Sequence, residues 1–162
     1  MKRSSFESMP CPMARALEHL SDGWNVLILR EAFYGATRFD EFETGLGIAT
    51  NTLSRRLKDL VAGGLLARRQ YSSNPPRYEY LLTDKGRDLR PVMLALLEWG
   101  NKYEPRPGNS VVLTDTETGK PVVLQLIDAV TGERISARHK VRRRQANGKT
   151  VESFPFPENV RH

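Results

Sequence analysis

A single cysteine, Cys11, stands in a chain of 162 residues, so no disulfide can form within it. Apolar runs are short as well. None reaches the roughly 20 residues that cross a bilayer, and no apolar stretch follows the two early cations of MKRSSFESMPCPMAR. Neither a spanning helix nor a secretory leader is expected, and a reducing cytoplasm without membrane contact fits both observations. The three histidines, His19, His139 and His162, are scattered and lack the ligand spacing of a zinc site. Gly45-Leu46-Gly47 lacks the lysine and the preceding strand of a phosphate-binding loop. With no catalytic constellation in view, neither an enzyme nor a bound cofactor is expected.

The chain is long enough for one domain, or one with an appendage. Its hydrophobic content of 39% supports a core but leaves part of the chain exposed. The net charge of +6 favours an anionic partner, and it is unevenly spread. Residues 1–104 hold 15 Lys and Arg against 13 Asp and Glu; residues 105–162 hold 10 against 6. A boundary after residue 104 therefore separates a main domain from a basic extension.

Hydrophobic spacing sets the order of elements. Residues 12–20 read as a short helix with Pro12 in its first turn. Asp22 caps a second helix, which Gly35 ends. A third helix lies in TRFDEFETGLG, with Thr37 as its cap and Asp40 as a short relative of the capping-box acid. Gly45 and Gly47 permit a tight turn after it, and the fourth helix, residues 50–62, lies within GIATNTLSRRLKDLVAGG, where Gly63 and Gly64 provide a left-handed stop. At about 100° per residue, Leu53, Leu57, Leu60 and Val61 share one sector. Asn51, Arg55 and Lys58 project from the far side, flanked by Thr52, Ser54 and Arg56. LLARRQY and RYEYLLT, separated by SSNPP, predict a β-hairpin with a polar tip. Thr83 caps a last helix, which Pro91 kinks or restarts.

Beyond PRPGN the periodicity becomes strand-like, and D-x-x-T-G occurs at both 115–119 and 128–132. The predicted class is α+β, mainly α: a winged helix-turn-helix with a C-terminal β-strand-rich extension ending in a basic tail. The densest basic run there, Arg138, Lys140, Arg142, Arg143 and Arg144, reads first as a solvated tail.

A helix with one face fixed to a core and the other bearing amides, hydroxyls and guanidiniums suits the DNA major groove. Asn matches adenine, Arg matches guanine, and Ser or Thr accepts several edges. The candidate DNA contacts are Thr50, Asn51, Thr52, Ser54, Arg55, Arg56 and Lys58 on the helix, Arg68 and Arg77 on the hairpin, and Arg38 before the third helix. Arg56 lies nearest the core edge, where Glu41, Glu43 or Asp59 could engage it. Ala49 stands where a side-chain cap for the fourth helix would be expected.

Several motifs then converge: Cys11-Pro12, Asp22-Gly-Trp24, Ile28-Leu29-Arg30-Glu31, Arg38-Phe39, Leu53-x-x-Arg56-Leu57-x-x-Leu60, Gly64-Leu65, Tyr80-x-Leu82-Thr83-x-x-Gly86 and Leu96-x-x-Trp99. Their order and spacing over residues 10–103 resemble the HxlR-type winged helix-turn-helix transcription regulators, within the MarR-like superfamily. The resemblance implies a small homodimeric bacterial regulator, more often a repressor, that binds double-stranded DNA at a palindromic operator. It also implies an effector, either an oxidant or a small molecule. It is silent on the extension.

The last helix is apolar over more than one face, so Leu89, Val92, Met93, Leu96 and Trp99 are expected to meet a second copy, joined by Met13 and Leu17 of the first helix. Cys11 precedes a helix start, where partial positive charge favours the reactive anionic form of sulfur, and Arg15 follows one turn on. It is the redox-sensing candidate; a structural cysteine is the plainer alternative. Two rival functions remain open at this point: a winged helix used for protein contact, and small-molecule binding through the extension.

Overall fold

The computed structural model describes residues 6, 8–108, 111–139, 141, 143–144 and 150–151, the last four through their backbone alone. The chain divides into two compact units, Met1–Val112 and Leu113–His162, so the first runs past the boundary expected at residue 104.

In the first unit the element order is α1 (Pro12–Leu20), α2 (Gly23–Phe33), α3 (Phe39–Leu46), α4 (Thr50–Ala62), β1 (Leu66–Ser73), β2 (Pro76–Leu82), α5 (Asp84–Arg87) and α6 (Arg90–Tyr103). Asp22 caps α2 by accepting from the Trp24 backbone N–H at 3.0 Å. Thr83 caps α5 through Gly86 N–H at 3.0 Å. Pro91 begins a new helix instead of bending one, because its missing N–H costs nothing in a first turn.

The start of α3 differs from expectation. Arg38, not Thr37, is the N-cap residue, and Glu41, not Asp40, turns back. Its carboxylate accepts from Thr37 N at 2.7 Å and Arg38 N at 2.9 Å. Glutamate has the extra methylene needed to reach those donors, and the two N–H groups hold it below the usual carboxylate range.

The core is one cluster. Ile28 and Leu29 of α2, Phe42 of α3, and Leu53, Leu57 and Leu60 of α4 are buried, with Ile48, Leu65 and Leu66 closing it. Val61 packs at its margin. The inner face of α4 is thus fastened to both preceding helices. Gly47 leaves α3 at φ +59° and Gly64 follows α4 at φ +70°, both left-handed positions that suit glycine.

The α4 helix is also held by charge. The Arg56 guanidinium pairs with Asp22, the cap of α2, and with Asp59 one turn on at 3.4 Å. Only 12% of the Arg56 side chain remains exposed. One acid therefore ends the free N–H groups of α2 and anchors α4.

β1 and β2 form an antiparallel hairpin in which Leu66 faces Leu82 and Arg68 faces Tyr80, with an irregularity at Tyr71. β2 is tied at its outer edge to the segment before α3: Tyr80 N donates to Thr37 O at 2.7 Å, and Arg38 and Glu79 form a bridge.

The second unit contains the two D-x-x-T-G turns, folded alike. Asp115 accepts from Thr118 N at 2.7 Å and Thr118 Oγ1 at 3.0 Å; Asp128 accepts from Val130 N at 2.9 Å and Thr131 Oγ1 at 3.0 Å. These donors hold both carboxyls below their usual range. Each turn is closed by one bridge, Thr114 with Pro121 and Ile127 with Arg134, in place of the longer strands expected. Two short strands, β3 (Arg143–Arg144) and β4 (Thr150–Val151), pair antiparallel. Arg138 pairs with Glu133. Lys140, Arg142 and the tail after Val151 lie outside the described residues.

Two stability measurements follow. A β-carbon on Gly86 would sit 2.2 Å from Leu65 O, whereas one on Gly23 would meet nothing within 4 Å. Gly86→Ala is expected to cost at least about 2 kcal/mol in urea denaturation, and Gly23→Ala to be neutral within about 0.5 kcal/mol. Arg56→Gln is expected to lower stability by about 2 kcal/mol, because it strands the Asp22 carboxylate. Arg55→Gln, on the exposed face, should stay within about 0.5 kcal/mol of the parent.

Candidate nucleic-acid interface

With Leu53, Leu57 and Leu60 turned inward, the opposite face of α4 is fixed by helix geometry. Asn51, Arg55 and Lys58 occupy positions i, i+4 and i+7 and all three are exposed. Thr52 and Ser54 flank this stripe and are half-buried. The stripe presents an amide that both donates and accepts, a five-donor guanidinium fork and an ammonium.

Ala49 is the N-cap residue of α4 and supplies no side-chain cap. Thr50, the first helical residue, is exposed, and its hydroxyl donates to Glu43 Oε1 at 2.5 Å. Glu43 therefore brings negative charge to a helix start that lacks its own cap, which the helix dipole favours. Periodicity did not reveal this pairing, since Glu43 and Thr50 belong to different helices. The Thr50 hydroxyl is accordingly less free to meet a ligand than expected.

Arg56 does not join the outward stripe. Its guanidinium is committed to Asp22 and Asp59, and its Nε is buried without a hydrogen-bond partner among the described residues. Its position one residue beyond Arg55 turns it about 100° toward α2, which leaves it less free to meet DNA than expected. Asp22, which the sequence marked only as a cap, is the residue missed here.

On the hairpin, the Arg68 guanidinium lies 3.4 Å from the Tyr78 ring centroid. Stacking of this kind orients a guanidinium without consuming its outward N–H groups. Arg69 is neutralised by Glu79 at 2.7 Å, whereas Arg77 is exposed near the hairpin tip. Arg38 is exposed with its guanidinium 5.0 Å from the Tyr71 ring centroid, which places it beside the hairpin as well as at the start of α3. The structure thus brings Arg38, Arg68 and Arg77 to one hairpin assembly, tied through Thr37 to the helix pair α3–α4.

A second exposed feature is apolar. Val92, Leu96, Trp99 and Tyr103 run along one face of α6 at spacings of four, three and four, and all are exposed, Trp99 by 55%. Met13 and Leu17 of α1 are likewise exposed. Leu89 instead packs against its own core, and Met93 is half-buried. Leu89 therefore serves the fold of its own chain. Its position between α5 and α6 turns it inward. Cys11 is exposed at the N-cap of α1. Among the described residues no group of three or more His, Cys, Asp or Glu could hold a metal ion, and no helix is long and apolar enough to cross a membrane.

Residues 19–107 match the model of the HxlR-like helix-turn-helix family. An uncharacterized HTH-type transcriptional regulator of Mycobacterium tuberculosis strain H37Rv is 45% identical over 128 residues, covering 78% of this chain and 81% of the relative. That share exceeds the first compact unit, so the likeness continues into the second. The uncharacterized HTH-type transcriptional regulator YdeP of Bacillus subtilis is 35% identical over 104 residues, covering 64% of this chain and 81% of YdeP. Among solved structures, PA1607, a candidate transcription factor, has a TM-score of 0.77 at 40% identity, covering 85% of this chain and 98% of that one. The redox regulator HypR in its reduced form has a TM-score of 0.55 at 32% identity, covering 58% and 94%. A buried-faced α4 carrying an outward amide and cations, a hairpin wing beside it, and these likenesses lead to one conclusion: the chain belongs to the HxlR-like helix-turn-helix family of transcriptional regulators.

Proposed function

We propose that the protein is a sequence-specific regulator that acts as a homodimer on a palindromic operator, with repression as its output. The reading is carried by the outward stripe of α4. Asn51, Arg55 and Lys58 are exposed on a helix whose other face is wholly buried, an arrangement that serves a groove better than an interior. Asn51 and Arg55 read base edges, with Thr52 and Ser54 beside them. Lys58, Arg68, Arg77 and Arg38 meet phosphates, and Thr50 takes a phosphate contact only by giving up Glu43.

The apolar stripe on α6 and the exposed side chains of α1 support pairing with a second copy, which would set two α4 helices about one duplex turn, 34 Å, apart. Leu96→Glu is expected to give a monomer in sedimentation. Its operator affinity should fall by about a hundredfold, since each half-site alone lacks the bivalent gain.

Selection of bound duplexes from a random pool tests the whole reading. A palindromic motif is expected, with affinity falling as salt rises at a log–log slope of about −0.9 per phosphate contact. Arg55→Gln should relax preference at one base position and cost about 1–3 kcal/mol. A protein that enriches no sequence and binds without salt dependence is a protein-contact module instead.

We further propose that Cys11 is an oxidant-responsive thiol. Its exposure supports this, and the redox regulator HypR among the structural relatives supports the class of effector. Oxidation would join two subunits or attach a small thiol, since the chain holds no second cysteine. Treatment with a mild oxidant is expected to change operator affinity in the parent and not in Cys11→Ser; an equal response in both removes Cys11 from the mechanism.

A further inference from the structure

A concavity of about 270 Å³ lies where α1 meets the α5–α6 junction. Ala16, Leu20, Leu65 and Leu89 make its apolar lining, and Arg15, His19 and Lys85 supply every titratable group on it. No carboxylate lines it. Among the described residues neither Arg15 nor Lys85 has an ion-pair partner; Arg15 donates to Met9 O at 3.1 Å. Lys85 Nζ lies 3.3 Å from His19 Nε2. Burial and then the Lys85 charge push the His19 pKa down, partly opposed by Glu18. The concavity combines apolar walls with two cations, Arg15 and Lys85, that have no ion-pair partner among the described residues.

The same lysine reaches α4. Lys85 Nζ donates to Gly63 O at 2.8 Å, and Gly63 is the C-cap residue of α4, where helix carbonyls lack internal partners. His19 lies beside the same residue: a β-carbon on Gly63 would meet His19 Nδ1 at 2.7 Å. A group that draws Lys85 toward the concavity therefore loosens the end of α4.

We propose that this concavity is an effector site for a small organic anion, a compact apolar body bearing one carboxylate, whose occupation reaches α4 through Lys85 and Gly63. The carboxylate accepts from Lys85 and Arg15, and the apolar body lies on Leu20, Leu65 and Leu89. The volume is at the small end of ligand pockets, which begin at roughly 300 Å³, so a single ring fits better than a larger body. The regulatory part rests on α4 being the DNA-reading helix.

The test is calorimetric titration of the full chain with phenylacetate and with neutral phenylacetamide. Phenylacetate is expected to bind, and the amide to bind about tenfold more weakly or less well still. Lys85→Met and Ala16→Phe should each lose phenylacetate binding. Ala16 is exposed, so its variant fills the concavity while keeping the fold, as circular dichroism would verify. Saturating phenylacetate should change operator affinity by about fivefold or more. Equal binding of acid and amide, undiminished binding by Ala16→Phe, or unchanged operator affinity at saturation overturns the proposal. So does absence of phenylacetate binding at millimolar concentration, including the case in which Ala16→Phe breaks a dimer because a second copy fills the site. Failure of the untreated protein to bind any duplex would overturn the regulatory reading instead, leaving the titration to decide the ligand site alone.

Discussion

Burial of three leucines fixes everything else about this molecule. Leu53, Leu57 and Leu60 fill the space between Ile28, Leu29 and Phe42, and a helix seated in that way has no freedom to roll. Fully burying each such side chain contributes about 1.5–3 kcal/mol, well above what one exposed polar residue returns. The outward direction of Asn51, Arg55 and Lys58 is a consequence of packing on the opposite side. DNA-reading chemistry needs that order of cause: fixed side chains lose less freedom when they meet base edges than side chains on a loose segment.

Charge refines what packing begins. Asp22 serves two elements, closing the start of α2 and gripping Arg56 of α4. Glu43 reaches Thr50 at the start of α4, and Lys85 reaches Gly63 at its end. Three interactions from α2, α3 and α5 thus bear on one thirteen-residue helix. The leucines define its face, and the polar contacts define where it begins and ends. Asn25 is an exception to polar satisfaction. It is 2% exposed, its Nδ2 donates to His19 O at 2.8 Å, and its Oδ1 has no partner among the described residues.

Much of this was legible in the sequence because the signals were local. Asp22 and Thr83 announced helix starts, Gly47 and Gly64 announced helix ends, and leucine spacing announced the inner face of α4. What escaped were partnerships across elements. Arg56 is the same residue type as its neighbour Arg55, and a turn of about 100° toward Asp22 of another element separates an anchored guanidinium from an exposed one. Leu89 shares the repeat of Val92 and Leu96 yet packs against its own core, at the junction of α5 and α6. At the start of α3, Asp40 and Glu41 were both adjacent acids, and the reach of one methylene decided between them. In the extension, the D-x-x-T-G turns were visible while the length of their strands was not, since single bridges leave no periodic trace.

The hydrogen bond from Tyr80 to Thr37 has a mechanical meaning. It joins the hairpin to the entry of α3, so the two prongs of the molecule share a root. Were α4 and the hairpin to engage one duplex as proposed, a groove too narrow or too bent for the gap between them would have to deform, and the stiffness of the DNA would then weigh on affinity at base pairs the protein never touches.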